Sequence, residues 1–162
     1  TYGAGPYRDY ETIVAQAARD AGLQPGIAQS LSSRWAELAP WPEAPAILAE
    51  LGKRASLAVV TNCSVELGRA AAARVYPHFD VIVTAEEAGY YKPCRAPYAK
   101  TLQALGTSPA RTLFVAGSAS DVPGAMALDM PVYWHNRIGL AAADHVTPVY
   151  LERSLDRLLD IV

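Results

Sequence analysis

Polar side chains follow three short apolar runs of the sequence, and their types could handle a small anion. The first run ends at Thr61 and Asn62, the second leads into Lys92, and the third is followed by Ser118 and Asp121. A hydroxyl, an ammonium group and a carboxylate from three different runs can together form a small anion-binding site. The same residues also suit ordinary loops, with Lys92 solvated and Asp121 capping the next helix. Spacing alone leaves both interpretations open.

The apolar runs alternate with helical patterns, which predicts the elements that position these side chains. Short β-rich runs predict strands over residues 56–61, 80–84, 112–116 and 131–134. Helical patterns lie at residues 42–51, 65–75, 97–105, 122–128 and 151–161. Continuous apolar strands alternating with helices indicate an α/β fold, a Rossmann-like parallel sheet flanked by helices. Ligands of such sheets bind beyond the carboxyl ends of the strands, so the polar residues after each strand are the candidate site.

The first forty residues have a different pattern, with helices and no strand. Apolar residues at helical spacing predict one helix over residues 7–21, ended by Gly22, and a second over residues 27–38. We therefore expect residues 1–40 to form a helical cap segment and residues 41–162 to form the α/β core.

The order of these motifs resembles that of the haloacid dehalogenase superfamily and is most similar to its L-2-haloacid dehalogenase branch. Thr-Asn at 61–62, Tyr-Tyr-Lys-Pro at 90–93 and Ser-x-x-Asp-x-x-Gly-Ala at 118–125 resemble the second, third and fourth motifs of the superfamily. The similarity to the branch includes Pro-Val-x-Trp-x-Asn-Arg at 131–137 and covers nearly the whole chain from residue 7 onward. Each motif is short, and their order and spacing carry the resemblance.

The resemblance implies a hydrolase that cleaves the carbon–halogen bond of a small 2-haloacid, a small-molecule anionic substrate. An aspartate displaces the halide and forms an ester, which water then hydrolyses. By position, Lys92 matches the lysine that pairs with this nucleophile and keeps it ionised. Asp121 matches the carboxylate that positions the lysine and the hydrolytic water. Thr61 matches the hydroxyl residue that bonds the nucleophile or the substrate carboxylate.

The resemblance also implies three substrate-binding residues. Asn62 matches the asparagine that helps to hold the departing halide, and Tyr98 matches a tyrosine of the dehalogenase site. Before the final aspartate the branch usually has Ser-x-Asn, where this chain has Ala116-Gly117-Ser118. Ser118 can still donate a hydrogen bond but Ala116 cannot, so the positioning of water is expected to differ.

No metal and no other cofactor is implied for this branch. Phosphatases of the superfamily hold Mg²⁺ with two acids four residues apart, whereas here Gly117 stands four residues before Asp121. One carboxylate is a poor ligand set for Mg²⁺, which demands near-octahedral oxygen coordination. Two alternatives remain: a Mg²⁺-dependent small-molecule phosphatase of the same superfamily, and a non-catalytic fragment or degenerate binding domain.

The expected nucleophile has no counterpart in the sequence. The family's aspartate lies on an N-terminal strand reading Asp-x-Asp or Asp-x-x-Gly-Thr, whereas Asp9 and Asp20 lie in helical patterns and Asp80 precedes its strand. We therefore expect the core to lack its first strand and the intact protein to have roughly fifty more residues upstream. The 162 residues alone should be catalytically silent.

Composition excludes several classes of protein. Hydrophobic residues make up 51% of the chain and charged residues 19%, which suits a packed core and not disorder. The 14 Lys and Arg residues nearly balance the 16 Asp and Glu residues and form no basic run, so neither nucleic acid nor a membrane surface is an expected partner. No charged-then-apolar leader is present, and only two cysteines occur, which predicts a cytoplasmic protein. A homodimer is left open.

The histidines and the cysteine nearest the predicted site have plain interpretations. His78, His135 and His145 share no spacing typical of a metal site, so we expect isolated surface or loop histidines. Cys63 lies in the loop after Thr61, but no histidine stands in an obvious relation to it, and a nucleophilic role is not favoured.

Overall fold

A computed structural model describes residues 5–24, 26–142 and 146–162 of the chain. In chain order the helices and strands are α1 (Tyr10–Asp20), α2 (Ile27–Ser33), α3 (Ala44–Leu51), β1 (Ala58–Thr61), α4 (Val65–Val75), β2 (Val81–Thr84), α5 (Ala85–Ala88), α6 (Arg95–Leu105), β3 (Phe114–Ala116), α7 (Asp121–Met126), β4 (Val132–His135), β5 (Tyr150–Glu152) and α8 (Leu158–Ile161). Single 3-10 turns cover Trp35–Glu37 and Pro109–Arg111.

The strands form two parallel sheets. In the first, β1 pairs with β2, and Thr61 lies opposite Thr84 at their carboxyl ends. In the second, the order is β3-β4-β5, with Ala116 opposite Trp134. Parallel strands joined through helices confirm the predicted α/β class. Among the described residues the sheet is divided between β1 and β3. A core without its first strand was expected from the sequence.

Helix α6 lies across both sheets and joins their cores. It contacts β1 and β2, and its Tyr98 packs with Phe114 of β3 at 5.2 Å between ring centroids. Val60 of β1 packs against the same buried cluster, which also contains Ala116 and Val122. The two sheets therefore share one apolar layer although their strands are not paired with each other.

Two glycines allow helices to approach the strand ends closely. A Cβ at Gly68 of α4 would lie 2.8 Å from Thr84 Cγ2 and 2.9 Å from Thr61 Cγ2. A Cβ at Gly124 of α7 would lie 2.6 Å from the Tyr98 hydroxyl and 2.8 Å from Pro93 Cβ. Any larger residue would push these helices away from the strand ends.

The prediction of a helix over residues 151–161 is wrong for most of its length. Residues Tyr150–Glu152 form β5 and pair with β4, and only Leu158–Ile161 is α-helical. The hydroxyl of Tyr133 donates a hydrogen bond of 2.7 Å to the carbonyl oxygen of Ser154, which ties the segment after β5 to β4. Pairing with the sheet outweighs a helical pattern of apolar residues in this segment.

The other predicted elements are present, with boundaries that local hydrogen bonds explain. Helix α1 begins at Tyr10 because Asp9 caps it, its carboxylate accepting a bond of 2.7 Å from the amide of Thr12. Helix α2 ends at Ser33, where the serine hydroxyl donates to the carbonyl oxygen of Ser30 at 3.0 Å. Before residue 41, the described residues form these helices, one 3-10 turn and a single bridge from Pro6 to Tyr90.

In the part of the chain that the structure describes, no helix combines the length and the apolar character needed to cross a bilayer.

Candidate active site

Lys92 and Asp121 form a buried ion pair at the carboxyl ends of the strands. The Lys92 Nζ lies 2.7 Å from Asp121 Oδ2, and each residue is 9% exposed. Contact between these two side chains was predicted from the sequence and is confirmed. Neither charge is well hydrated, so each depends on the other for its compensation.

Asn62 holds the backbone of Lys92 from the neighbouring strand end. Its Oδ1 accepts a hydrogen bond of 2.7 Å from the Lys92 amide, and its Nδ2 donates one of 3.0 Å to the Lys92 carbonyl oxygen. The loop after β1 thereby fixes the loop after β2. These two bonds use one N–H of the Asn62 amide and leave the other N–H out.

Tyr98 lies beneath Asp121. It is 1% exposed, and its hydroxyl donates to the Asp121 carbonyl oxygen at 3.5 Å. Burial, and secondarily the charge of Asp121, raise the pKa of the Tyr98 phenol well above its usual range, so the hydroxyl stays protonated. The structure brings Tyr98 against the backbone of the ion pair.

Thr61 lies next to Asn62, and its hydroxyl donates to the Cys63 sulfur at 3.3 Å. Cys63 is buried, and both Cys63 and Cys94 are free thiols. Burial raises the pKa of the Cys63 thiol, the Thr61 hydrogen bond and the charge of Lys92 oppose this, and Glu11 adds to it. These effects keep the thiol protonated, which disfavours a nucleophilic role.

Ser118 lies just before α7 and is exposed. Its hydroxyl pairs with that of Ser120 at 2.9 Å, and its carbonyl oxygen accepts a bond of 3.2 Å from the Asp121 amide. The structure thus places Ser118 beside the ion pair, with its hydroxyl engaged by a neighbouring serine.

Glu11 of α1 also reaches this edge, and sequence patterns did not select it. Its Oε1 accepts a hydrogen bond of 2.8 Å from the hydroxyl of Ser64, the residue after Cys63. Its Oε2 is closed off from solvent and has no partner. The contact joins positions 53 residues apart. No local pattern encodes it, and the sequence offers only an acid in the first turn of a capped helix.

The histidines contribute no metal site in the described part of the chain. There, no group of three or more His, Cys, Asp or Glu side chains could hold a metal ion. His78 is exposed, as expected. His135, expected at the surface or in a loop, ends β4 instead and is 7% exposed. His145 lies outside the described residues.

Comparison with known proteins shows that the chain is similar to hydrolases. The family model described as haloacid dehalogenase-like hydrolase matches residues 5–129. Over 113 residues the chain is 34% identical to an (S)-2-haloacid dehalogenase of Pseudomonas sp. (strain YL), covering 68% of this chain and 49% of the relative. Over 86 residues it is 36% identical to a phosphoglycolate phosphatase of Aquifex aeolicus (strain VF5), covering 51% of this chain and 40% of the relative.

Among solved structures, the L-2-haloacid dehalogenase from Xanthobacter autotrophicus with chloropropionic acid covalently bound superposes with a TM-score of 0.85. The identity is 22%, and the alignment covers 96% of this chain and 76% of that one. This likeness shows the fold. The chain spans about half the length of the (S)-2-haloacid dehalogenase of Pseudomonas that it matches.

Proposed function

The chain belongs to the haloacid dehalogenase-like hydrolases, and on that premise we propose that the intact protein hydrolyses the carbon–halogen bond of a small 2-haloacid through an aspartyl ester. The buried Lys92–Asp121 pair carries this proposal. An ammonium group has three donors, and Asp121 occupies one of them, so Lys92 can also hold a nucleophilic carboxylate ionised.

The reaction then needs two steps. A carboxylate oxygen attacks the carbon that bears the halogen, and the carbon–oxygen bond forms as the halide leaves with the bonding electrons. Water next attacks the ester carbonyl. One of its protons would pass by way of Asp121 to the departing oxygen of the 2-hydroxy acid, the other would leave to solvent, and the aspartate is regenerated as a carboxylate. Asn62 would meet the leaving halide, Thr61 the nucleophile or the substrate carboxylate, and Ser118 the substrate or the water. Tyr98 would support Asp121 from below.

We propose that the nucleophile arrives on a strand that lies between β1 and β3. Among the described residues β1 pairs only with β2, while β3 joins the second sheet at its edge. A groove of about 1120 Å³ opens between their amino-terminal ends, lined by Leu57, Leu113 and Val115 among others. All of β1 is only half-buried, and Val115 is 43% exposed. We call this region the strand gap.

A parallel strand in the strand gap would have its carboxyl end beside Thr61 and the Lys92–Asp121 pair. It would also cover the apolar side chains that line the groove and pair the free edges of β1 and β3. On this proposal residues 41–162 are a core that lacks one central strand, and residues 1–40 are part of the cap. The two free thiols support a cytoplasmic location.

The similarity to a phosphatase supports an alternative, a Mg²⁺-dependent phosphatase acting at the same site. That chemistry needs a second acid near Asp121 to hold the cation against a dianionic phosphoryl group. Position 117 is glycine, and the space around it is open. A singly charged haloacid can be bound by Lys92 and neutral donors, so the dehalogenase is the better match.

The test is an assay of the intact protein against both substrate classes. Halide release from 2-chloropropionate is expected at full rate in excess EDTA, since no proposed step uses a metal. Mg²⁺-dependent phosphate release from a small phosphomonoester, without halide release, would establish the alternative instead. Absence of both activities in a cooperatively folded intact protein would favour the non-catalytic reading.

A further inference from the structure

Residues 6–8, which precede α1, lie against residues 89–91, which lead directly into Lys92. An antiparallel bridge joins Pro6 to Tyr90, outside the strands of both sheets. We call residues 6–8 the strap and residues 89–91 the lysine loop. The strap belongs to the proposed cap, whereas the lysine loop belongs to the core. The bridge therefore joins the two where the chain enters the candidate active site.

Tyr91 fastens the lysine loop to the strap through its side chain. It is 3% exposed, and its hydroxyl donates a hydrogen bond of 2.7 Å to the carbonyl oxygen of Arg8, 83 residues away in the chain. Its ring stacks on that of Tyr7, with 5.2 Å between the centroids and 26° between the planes. The amide of Tyr7 in turn donates to the carbonyl oxygen of Gly89 at 2.6 Å. The stacking restrains the plane of the Tyr91 ring, and the hydrogen bond restrains its direction.

Lys92 is thus held from two sides. From the core, Asn62 accepts from the Lys92 amide at 2.7 Å and donates to its carbonyl oxygen at 3.0 Å, and Asp121 meets the ammonium group at 2.7 Å. From the strap, support comes through Tyr91, the residue directly before the lysine. A lysine ammonium stands on a flexible four-carbon stem, so its place depends on how firmly its backbone and its partners are held.

We propose that Tyr91 is a positioning residue, whose hydrogen bond to Arg8 makes the strap part of the support of Lys92. This rests on the proposed function, in which Lys92 keeps the nucleophile ionised. Displacement of the strap then moves the ammonium group relative to the nucleophile, and the chemical step slows because it depends on exact distances. Turnover proceeds at full rate only while the proposed cap is seated on the lysine loop.

The experiment compares Tyr91→Phe with Tyr133→Phe in the intact protein. Phenylalanine at position 91 keeps the ring that stacks on Tyr7 and removes only the hydroxyl. Tyr133 is the matched control, because it is 0% exposed and its hydroxyl also donates to a backbone carbonyl oxygen, that of Ser154, at 2.7 Å. We expect both variants to lower the urea midpoint of unfolding to a similar extent. Only Tyr91→Phe should lower kcat, by roughly tenfold, with KM unchanged.

A double variant shows whether Tyr91 acts through the lysine. In a Lys92→Met background, Tyr91→Phe should cause no further fall in kcat, because the ammonium group that it positions is already gone. A tenfold fall that persists in this background would overturn the proposal. An unchanged kcat in Tyr91→Phe alone, or an equal fall in Tyr133→Phe, would overturn it as well and make the hydroxyl a contact for stability only.

Hydrogen exchange separates this proposal from the proposed function. The Lys92 amide should exchange roughly tenfold faster in Tyr91→Phe than in the unchanged protein, and Tyr133→Phe should leave its rate the same, whether or not halide is ever released. If that result comes without halide release, Tyr91 positions Lys92 but the dehalogenase assignment fails. If halide is released and the two variants exchange alike at Lys92, the proposed function stands and the role of Tyr91 is overturned.

Discussion

The carboxyl ends of the strands and the strand gap differ in how completely their polar groups are partnered. At the carboxyl ends, Lys92 is bonded through its side chain, its amide and its carbonyl oxygen to Asp121 and Asn62. In the strand gap, β1 and β3 each have a free edge among the described residues, and the apolar lining is only partly covered. The side chains proposed to assist catalysis are thus held together in the described residues, whereas β1 and β3 remain unpaired with each other.

This difference implies that the proposed nucleophile strand would contribute differently to chemistry and to folding. The Lys92–Asp121 pair is held by loops and by α7, where Gly124 lies close to Tyr98 and Pro93. The free edges of β1 and β3 border the apolar core that α6 shares between the two sheets. Changes at the pair should therefore affect turnover most, and changes near the strand gap should affect stability most.

The largest effect is expected from comparing the 162 residues with a form that also carries the proposed nucleophile strand. On the proposed mechanism, the 162 residues alone should release no halide from 2-chloropropionate above the uncatalysed rate, because the proposed nucleophile lies outside them. They should also unfold at a lower temperature than the intact protein. The free edges of β1 and β3 leave backbone N–H and C=O groups without a neighbouring strand to pair with. Turnover by the 162 residues would place the nucleophile within them, and Asp9 and Cys63 would be the residues to test.

Replacing Lys92 directly tests the carboxyl ends of the strands, where the polar groups have partners. In the intact protein Lys92→Met should lower kcat by about 10²–10³-fold with little change in KM, because the lysine acts on the nucleophile. The variant should also lose about 3 kcal/mol of stability, since Asp121 is left buried without its partner. Lys53→Met is the control, because Lys53 is exposed and pairs only with Glu50. A rise in KM alone would make Lys92 a binding residue instead.

Two glycines near Asp121 give a matched pair for stability. Gly124→Ala would bring a Cβ to 2.6 Å from the Tyr98 hydroxyl and 3.2 Å from Pro93 Cα, which forces α7 away from Lys92. We expect a loss of about 1–3 kcal/mol in the free energy of unfolding, measured with urea. Gly117→Ala meets no atom within 4 Å and should stay within about 0.5 kcal/mol. Equal effects of the two changes would mean that α7 can shift freely and that the close packing does not hold the ion pair.

Much of the arrangement at the carboxyl ends of the strands could be predicted from the sequence, because the sequence shows where the strands end. Apolar runs mark where β1, β2 and β3 end, and parallel strands bring those ends to one edge. The contact of Lys92 with Asp121 agrees with that geometry, but the resemblance to the dehalogenase motifs was needed to single out these two residues. The bridging role of Asn62 could not be predicted, since it needs the separation of two backbones that no pattern encodes.

The features that the sequence did not predict depend in the same way on contacts between distant parts of the chain. Residues 151–161 carry apolar side chains at helical spacing, yet β5 forms because its backbone pairs with β4. Glu11 reaches Ser64 only because α1 lies against the loop after β1. His135 appears as one polar residue at a strand end, and its burial depends on the elements packed around β4.

The smallest effect is expected from replacing His135, and it should appear in how the free energy of unfolding depends on pH. Burial, and secondarily the charge of Arg137, lower the pKa of its imidazole, against the opposing effects of the Arg153 carbonyl and Glu43. The folded protein then binds fewer protons than the unfolded chain just below the unfolded pKa of about 6.5. Stability is therefore unaffected above that pH and falls as the pH drops through it. Urea unfolding at pH 7.5 and 5.5 should show a smaller loss for His135→Gln than for the unchanged protein, whereas His78→Gln, at an exposed site, should keep the full loss. An identical loss in His135→Gln would mean that the imidazole is solvated and that the end of β4 opens to water.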